Sequence, residues 1–228
     1  LERERGGSED QADGTWVRFE PDPEIFGRFT WDEEYIERRL RYYTYLNSGL
    51  TIAYNGRTFL SKRGLADLLD EELGEDTAGL YEVCHCRGER LEFAFTHTTS
   101  YGENYHSFVN GQYTNDGGTH LSGFREGLLK GVNEYAKKSF AGEDVRDGIV
   151  GAVAIKMQDP VFESQTKNKL GSTEIRSWVV QEVRDQVVRW LHAHRPAAER
   201  LVEKVKQNEK LRKELSAIKK EAKERARK

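Results

Sequence analysis

The residues best suited to chemistry lie in one short connection, VFESQTKNKLGSTEIR, residues 161–176. Before it runs IVGAVAIKM (149–157), a continuous apolar stretch that reads as a strand covered on both faces. After it runs WVVQEVRDQVVRWL (178–191), which reads as an amphipathic helix. Gln165, Thr166, Lys167, Asn168 and Lys169 in between carry no apolar side chain and no acid; Glu163 lies on the strand side. A lysine ammonium is a compact cation with three donors, and a glutamine amide adds two more. Held between a buried strand and a core helix, such a loop can present a cation to a phosphate oxygen. The alternative is a solvated connection whose lysines point at water.

Other constellations are weaker. Neither Gly-x-x-x-x-Gly-Lys-Ser/Thr nor Gly-x-Gly-x-x-Gly occurs. TNDGGTH (114–120) opens a helix and its free N–H groups could hold an anion, but Asp116 beside them favours a tight turn. The six histidines form no triad pattern, and His192 and His194, two apart on a helix, do not share a face. Cys84 and Cys86 flank His85 and fall on one face of a strand. No second ligand pair stands at zinc-like spacing, so a core strand is expected there and no metal site. Low cysteine use fits a reducing cytoplasm.

The elements that must position the loop follow from periodicity. GTWVRFEPD (14–22) alternates, with Thr15, Val17 and Phe19 on one side, and predicts a half-buried strand stopped by Pro21 and Pro23. Residues 29–49 predict a helix with a capping box of Thr30 and Glu33. Residues 50–61 predict a hairpin turning at Asn55-Gly56, and 64–73 a short helix. Strands are expected at 79–86, 90–97 and 105–110. A helix follows, capped by Thr119, with Phe124, Leu128, Val132 and Tyr135 as its apolar face. The helix from about 173 should bury Ile175, Val179, Val183, Val187 and Leu191. Strands surrounding two core helices make the body α/β or α+β with a mixed sheet.

The 228 residues are 36% hydrophobic and 33% charged, enough for a modest core with much exposed surface. The net charge of −3 hides an asymmetry: residues 199–228 hold twelve Lys/Arg and six Asp/Glu, a surplus of +6 that leaves the rest at −9. That last stretch contains no Gly or Pro, and Leu211, Leu215, Ile218 and Ala222 form a narrow seam. It predicts a long helix beyond a joint at Pro196, one that leaves the body, packs on a partner element, or both. Its basic charge, on an acidic body, keeps any polyanion contact local. No apolar run approaches membrane length, and no membrane contact is expected. The chain opens without Met on LERERGGSEDQADG, a polar lead-in expected of a piece of a longer protein.

VFESQTKNKLGS resembles a loop of the B subunits of bacterial type IIA DNA topoisomerases, those of gyrase and of topoisomerase IV. The resemblance extends in order through GTWVRFEPDPEIF (14–26), RRLRYYTYLNSGLTI (38–52), SFVNGQYTNDGGTHLSGFREGL (107–128) and EDVRDGIVGAVAIKMQDP (143–160). It implies three parts. Residues 1–26 are a lead-in and the last strand of a GHKL-type ATPase domain. Residues 27–195 are a transducer domain, an α/β fold with a left-handed β-α-β crossover. Residues 196–228 are a connector helix toward a metal-binding TOPRIM domain.

The resemblance also implies roles. Lys167 matches a lysine that reaches the γ-phosphate of ATP and serves hydrolysis, and Gln165 a glutamine beside it. Thr15 matches a threonine near the adenine pocket, and Arg125 a basic residue facing a cavity that passes a DNA duplex. ATP and Mg²⁺ are then cofactors of the complete protein, with none expected on this piece, which by itself should neither hydrolyse ATP nor cut DNA. Implied partners are double-stranded DNA, the A subunit in an A2B2 heterotetramer, and a second copy of the same chain through the ATPase domain, as a homodimer. The implied setting is the bacterial cytoplasm at the nucleoid. In the piece, Lys167 should be solvated and unpaired. The competing expectation is a non-enzymatic nucleic-acid-binding or adaptor module acting through the basic C-terminal helix. Gyrase and topoisomerase IV types are not separated, although YYTYLNSGLTI and FESQTKNKLGST lean toward the latter.

Overall fold

The computed structural model describes residues 14–18, 20–74 and 77–225. The chain divides into two units, Leu1–Glu37 and Arg38–Lys228.

In the first unit the expected strand does not form. Residues 14–18 and 20–22 are irregular, with Trp16 80% and Val17 68% exposed, and Phe19 lies outside the described residues. Alternation says which side chains would face a core, but a strand also needs a partner backbone, and none pairs with it among the described residues. Pro23 instead opens a single-turn helix, α1 (Pro23–Phe26), whose start is capped by Asp22 Oδ1 accepting from Glu24 N–H at 2.9 Å. Phe26, Phe29 and Trp31 stack edge to face behind it. Helix α2 runs Glu33–Leu46, so that most of it belongs to the second unit. Its N-terminal cap is Asp32, which accepts from Tyr35 N–H at 3.0 Å, so the helix begins later than a Thr30 cap would place it.

In the second unit β1 (Thr51–Tyr54) and β2 (Arg57–Leu60) form the expected hairpin. Asn55 and Gly56 both take positive φ, 46° and 77°, as a two-residue mirror-image turn requires. After α3 (Leu65–Leu73) come β3 (Cys84–Arg87), β4 (Leu91–His97), β5 (Glu103–Val109) and β6 (Gln112–Tyr113). Helices α4 (Thr119–Ala136) and α5 (Gly142–Arg146), strand β7 (Ile149–Ile155), and helices α6 (Arg176–Ala193) and α7 (Arg195–Arg225) complete it. The sheet order is β3-β4-β7-β5-β6. Strand β7 is parallel to β5 and antiparallel to β4, so the sheet is mixed and the chain from β5 to β7 makes a crossover through α4. Strand β3 starts later than 79; residues 79–83 are irregular, with Leu80 N–H donating to His97 O.

Both faces of the sheet are covered. Phe93, Phe95, Val109, Ile149 and Val153 pack with Phe124, Leu128 and Val132 of α4 and Val179, Val183 and Val187 of α6. Ala94, Phe108 and Ala152 face the other way, onto Tyr45 of α2 and Leu65, Leu68 and Leu69 of α3. This double covering is why β7 reads as a continuous apolar run. Cys84 packs in the first core, and His85 pairs with Glu92 at 2.9 Å.

Helix α4 meets α6 through Gly123, Gly127 and Gly131, one per turn. A Cβ at Gly127 would lie 2.7 Å from Val180 O and Val183 Cβ. The missing side chains are what let the two backbones come this close.

Helix α7 begins at Arg195, two residues after the last residue of α6, with Pro196 in its first turn, where a proline costs no hydrogen bond. Its first turns belong to the packed body: Ala197, Ala198, Leu201, Val205 and Asn208 are buried. Asn208 Nδ2 donates to Asp144 O and Asp147 O, and Arg212 grips the buried Asp144 carboxylate with two bonds of 2.7 and 2.8 Å. Beyond Asn208 the seam opens to solvent, from Leu211 at 37% to Ile218 at 62% exposed. No helix among the described residues is long and apolar enough to cross a membrane.

Candidate functional site

The polar connection between β7 and α6 is a pinned loop. Its two limbs pair: Glu163 N–H donates to Lys169 O at 3.0 Å, Gly171 N–H to Val161 O at 2.8 Å, and Phe162 bridges Leu170. The tip is a turn closed by Lys167 N–H donating to Ser164 O at 3.0 Å, with Ser164 and Thr166 hydroxyls 2.7 Å apart. Gln165 and Lys167 are both exposed on this tip. Lys167 sits at φ 57°, in the left-handed region.

The charges on the loop are not equivalent. Lys169 Nζ lies 3.0 Å from Glu163, so the acid on the strand side neutralises one of the two lysines, contrary to the expectation of an acid-free loop. The limb pairing causes this, because it brings Glu163 opposite Lys169 across the hairpin. Lys167 has no ion pair among the described residues. Its donors, and the amide of Gln165 beside them, are available to an external anion.

The loop is also attached to the glycine turn before α4. Asp116 N–H donates to Asn168 O at 3.0 Å, and Leu170 N–H to Gly117 O at 3.1 Å. Thr119 does not cap α4: its N–H and its hydroxyl both donate to Leu170 O, at 3.0 and 3.2 Å, and Gly118 stands at the N-cap. The two segments singled out in the sequence for separate reasons, DGGTH and QTKNKLG, thus form one structure. Leu170, 1% exposed, is its anchor, and the sequence held a signal for it as the one apolar residue from 163 to 174.

The remaining candidates are placed apart from this tip or by themselves. Arg125, on the second turn of α4, pairs with Glu103 at 2.9 Å and lies over the Tyr105 ring at 4.7 Å, and Arg146 shares the same carboxylate at 3.2 Å. Its charge is engaged within the fold, with 40% of the side chain still exposed. Thr15 belongs to the first unit and is exposed. A groove of about 1300 Å³ opens beside the β3–β4 turn, lined in part by Leu46, Arg87, Arg90, Lys156 and Met157; neither Gln165 nor Lys167 borders it.

Two of the three buried histidines, His97 and His120, are structural, and the third, His106, lies 3.2 Å from Glu72. His97 Nε2 donates to Val145 O at 2.7 Å, which leaves Nδ1 to accept from the Tyr81 hydroxyl. His120 Nε2 lies 3.2 Å from Thr114 Oγ1. Burial pushes both imidazoles down to about 4, so they are neutral near pH 7.

This architecture is that of solved topoisomerase ATPase regions. The 43K ATPase domain of Thermus thermophilus gyrase B, solved with an aminocoumarin, superposes with a TM-score of 0.75 at 29% identity, over 89% of this chain and 60% of that one. The family model described as DNA gyrase B matches residues 64–221, and the chain belongs to that family. It is 49% identical over 216 residues to the B subunit of DNA topoisomerase 4 from Borreliella burgdorferi, covering 95% of this chain and 36% of that protein. It is 34% identical to the B subunit of DNA gyrase from Thermotoga maritima, covering 84% of this chain and 34% of that protein. The chain therefore spans about a third of the length of these relatives.

Proposed function

We propose that this chain is the energy-transducing part of the B subunit of an ATP-dependent type IIA DNA topoisomerase. On this reading residues 27–195 are the transducer domain, 14–26 the end of the nucleotide-binding domain and α7 the connector toward the DNA gate. The observation that carries it is Lys167: a cation without a counter-ion among the described residues, on the tip of a loop whose base is hydrogen-bonded on two sides. The donor set fits a phosphate. It does not fit Mg²⁺, since Glu163, the carboxylate nearest the tip in sequence, is engaged by Lys169, and the metal belongs to residues elsewhere in the complete protein.

ATP held by the neighbouring nucleotide-binding domain supplies the phosphoryl chemistry. Lys167 places its ammonium on the γ-phosphate and Gln165 adds an amide donor. Lys167 offsets charge that develops there during hydrolysis. Because these two side chains touch only the γ-phosphate, their contact is made with ATP and lost with ADP. A differential contact of that kind is what a ligand needs to shift a domain's orientation. Thr15 contributes near the adenine, and Arg125 faces the cavity that passes DNA. The partners on this reading are duplex DNA, an A subunit in an A2B2 assembly and a second copy of this chain, at the bacterial nucleoid. The higher identity to a topoisomerase IV relative favours that type over gyrase.

The test is Lys167→Ala in the complete protein reconstituted with its A subunit. ATP turnover is expected to fall by about 10²-fold or more, the scale of removing one preorganised electrostatic contact. Affinity for a non-hydrolysable ATP analogue should change far less. Wild-type turnover in the variant would overturn the role.

A further inference from the structure

Resting on the reading that Lys167 contacts the γ-phosphate, we propose that the Gly117-Gly118-Thr119 turn before α4 is a positioning seat that aims Lys167, through Leu170. The seat is built from backbone. Leu170 has both of its peptide groups held: its N–H by Gly117 O at 3.1 Å, its C=O by Thr119 N–H at 3.0 Å and Thr119 Oγ1 at 3.2 Å. Asn168 O is held by Asp116 N–H at 3.0 Å, so the bonds continue to the residue after Lys167. The side chain of Leu170 is sunk in the same core as Phe124 of α4.

Gly118 sets how closely the two segments approach. It takes φ 127°, a conformation closed to most L residues, and a Cβ there would stand 2.4 Å from both the N and the O of Leu170. Those are backbone atoms and cannot rotate aside. Any side chain at 118 must push residues 168–170 away from α4, and Lys167 is the next residue out along the loop. Helix α4 is itself locked to α6 at the glycine stripe. The position of the backbone that carries Lys167 is therefore set by the α4–α6 pair as well as by the loop. A misplacement of about 1 Å can cost about 10²-fold when a charge must meet a transition state.

Gly118, Thr119 and Leu170 touch no phosphate; they act through Lys167, and a double-mutant comparison separates that from a general loss of fold. The complete protein with its A subunit is assayed for ATP turnover as wild type, Gly118→Ala, Lys167→Ala and the double variant. Gly118→Ala should lower kcat by about tenfold or more while the KM for ATP moves little, because other residues hold the nucleotide. The double variant should turn over no more slowly than Lys167→Ala. Wild-type kcat in Gly118→Ala, or losses that multiply in the double variant, would overturn the positioning role and leave the Lys167 contact standing. Wild-type turnover in Lys167→Ala would overturn the contact itself. Should Gly118→Ala not fold, Thr119→Val and Thr119→Ser decide the matter. Valine removes one bond to Leu170 O and should lower kcat, whereas serine keeps it and should restore kcat; equal turnover in the two would overturn the proposal.

Discussion

Five non-glycine residues among those described take positive φ, and their identities differ in a telling way. Asn55, Asn110 and Asp159 are residue types that tolerate the left-handed region, and Lys137 closes helix α4. Lys167 is a lysine at a loop tip, at φ 57°, where glycine or asparagine would be easier. Strain of this kind costs on the order of 1 kcal/mol, persists only where the surrounding structure over-determines it, and clusters at functional sites. Lys167→Gly should accordingly leave the stability of this chain unchanged or raise it by up to about 1 kcal/mol, while removing the proposed phosphate contact. Urea unfolding checks this; a loss above about 1 kcal/mol would show that the lysine serves the fold.

The helix pair α4–α6 is where local propensity and packing pull in opposite directions. Glycine in a helix interior is less favourable than alanine by about 1 kcal/mol, so Gly127→Ala on an isolated helix would be stabilising. In the folded chain the added methyl meets Val183 Cβ and the Val180 carbonyl at 2.7 Å. Forcing two packed helices apart costs about 1–3 kcal/mol, which exceeds the propensity gain. Gly127→Ala should lower the thermal midpoint of the chain, and an unchanged or raised midpoint would mean the helices adjust freely. The same close approach makes the pair stiff, as the proposed transducing role requires.

At the level of the whole molecule, stability should depend on pH through two histidines rather than through surface pairs. His97 and His120 are buried neutral, with pKa values pushed from the usual 6.5 down to about 4. Both are therefore protonated more readily in the unfolded chain. Their contribution is fully present above pH 6.5 and is lost as pH falls toward 4. Between pH 7 and 5, before most carboxylates titrate, the pair should remove on the order of 2–4 kcal/mol. Denaturant midpoints at pH 7 and 5 measure this; equal midpoints would contradict the burial of both rings. The exposed pairs along α7, such as Arg225 with Glu221, add little at this scale.

Periodicity and turn chemistry were enough to read the Asn55-Gly56 hairpin, the apolar β7, the core faces of α4 and α6 and the long basic helix, because each depends on near neighbours in the chain. The donors on the loop tip were also legible, since a lysine and an amide without an acid between them are visible in the sequence alone. What sequence could not decide was everything that depends on a distant backbone. GTWVRFEPD alternates like a strand, yet among the described residues it has no backbone to pair with and forms none. Thr119 has the right type to cap a helix, yet its hydroxyl goes to Leu170, 51 residues later. Glu163 looked remote from the lysines until hairpin pairing set it against Lys169. Sequence marks Lys167 as a cation without an adjacent acid; only the tertiary contact between Gly118 and Leu170 seats the loop that carries it, because a hydrogen bond between backbones leaves no trace in side-chain identity beyond a glycine where nothing larger fits.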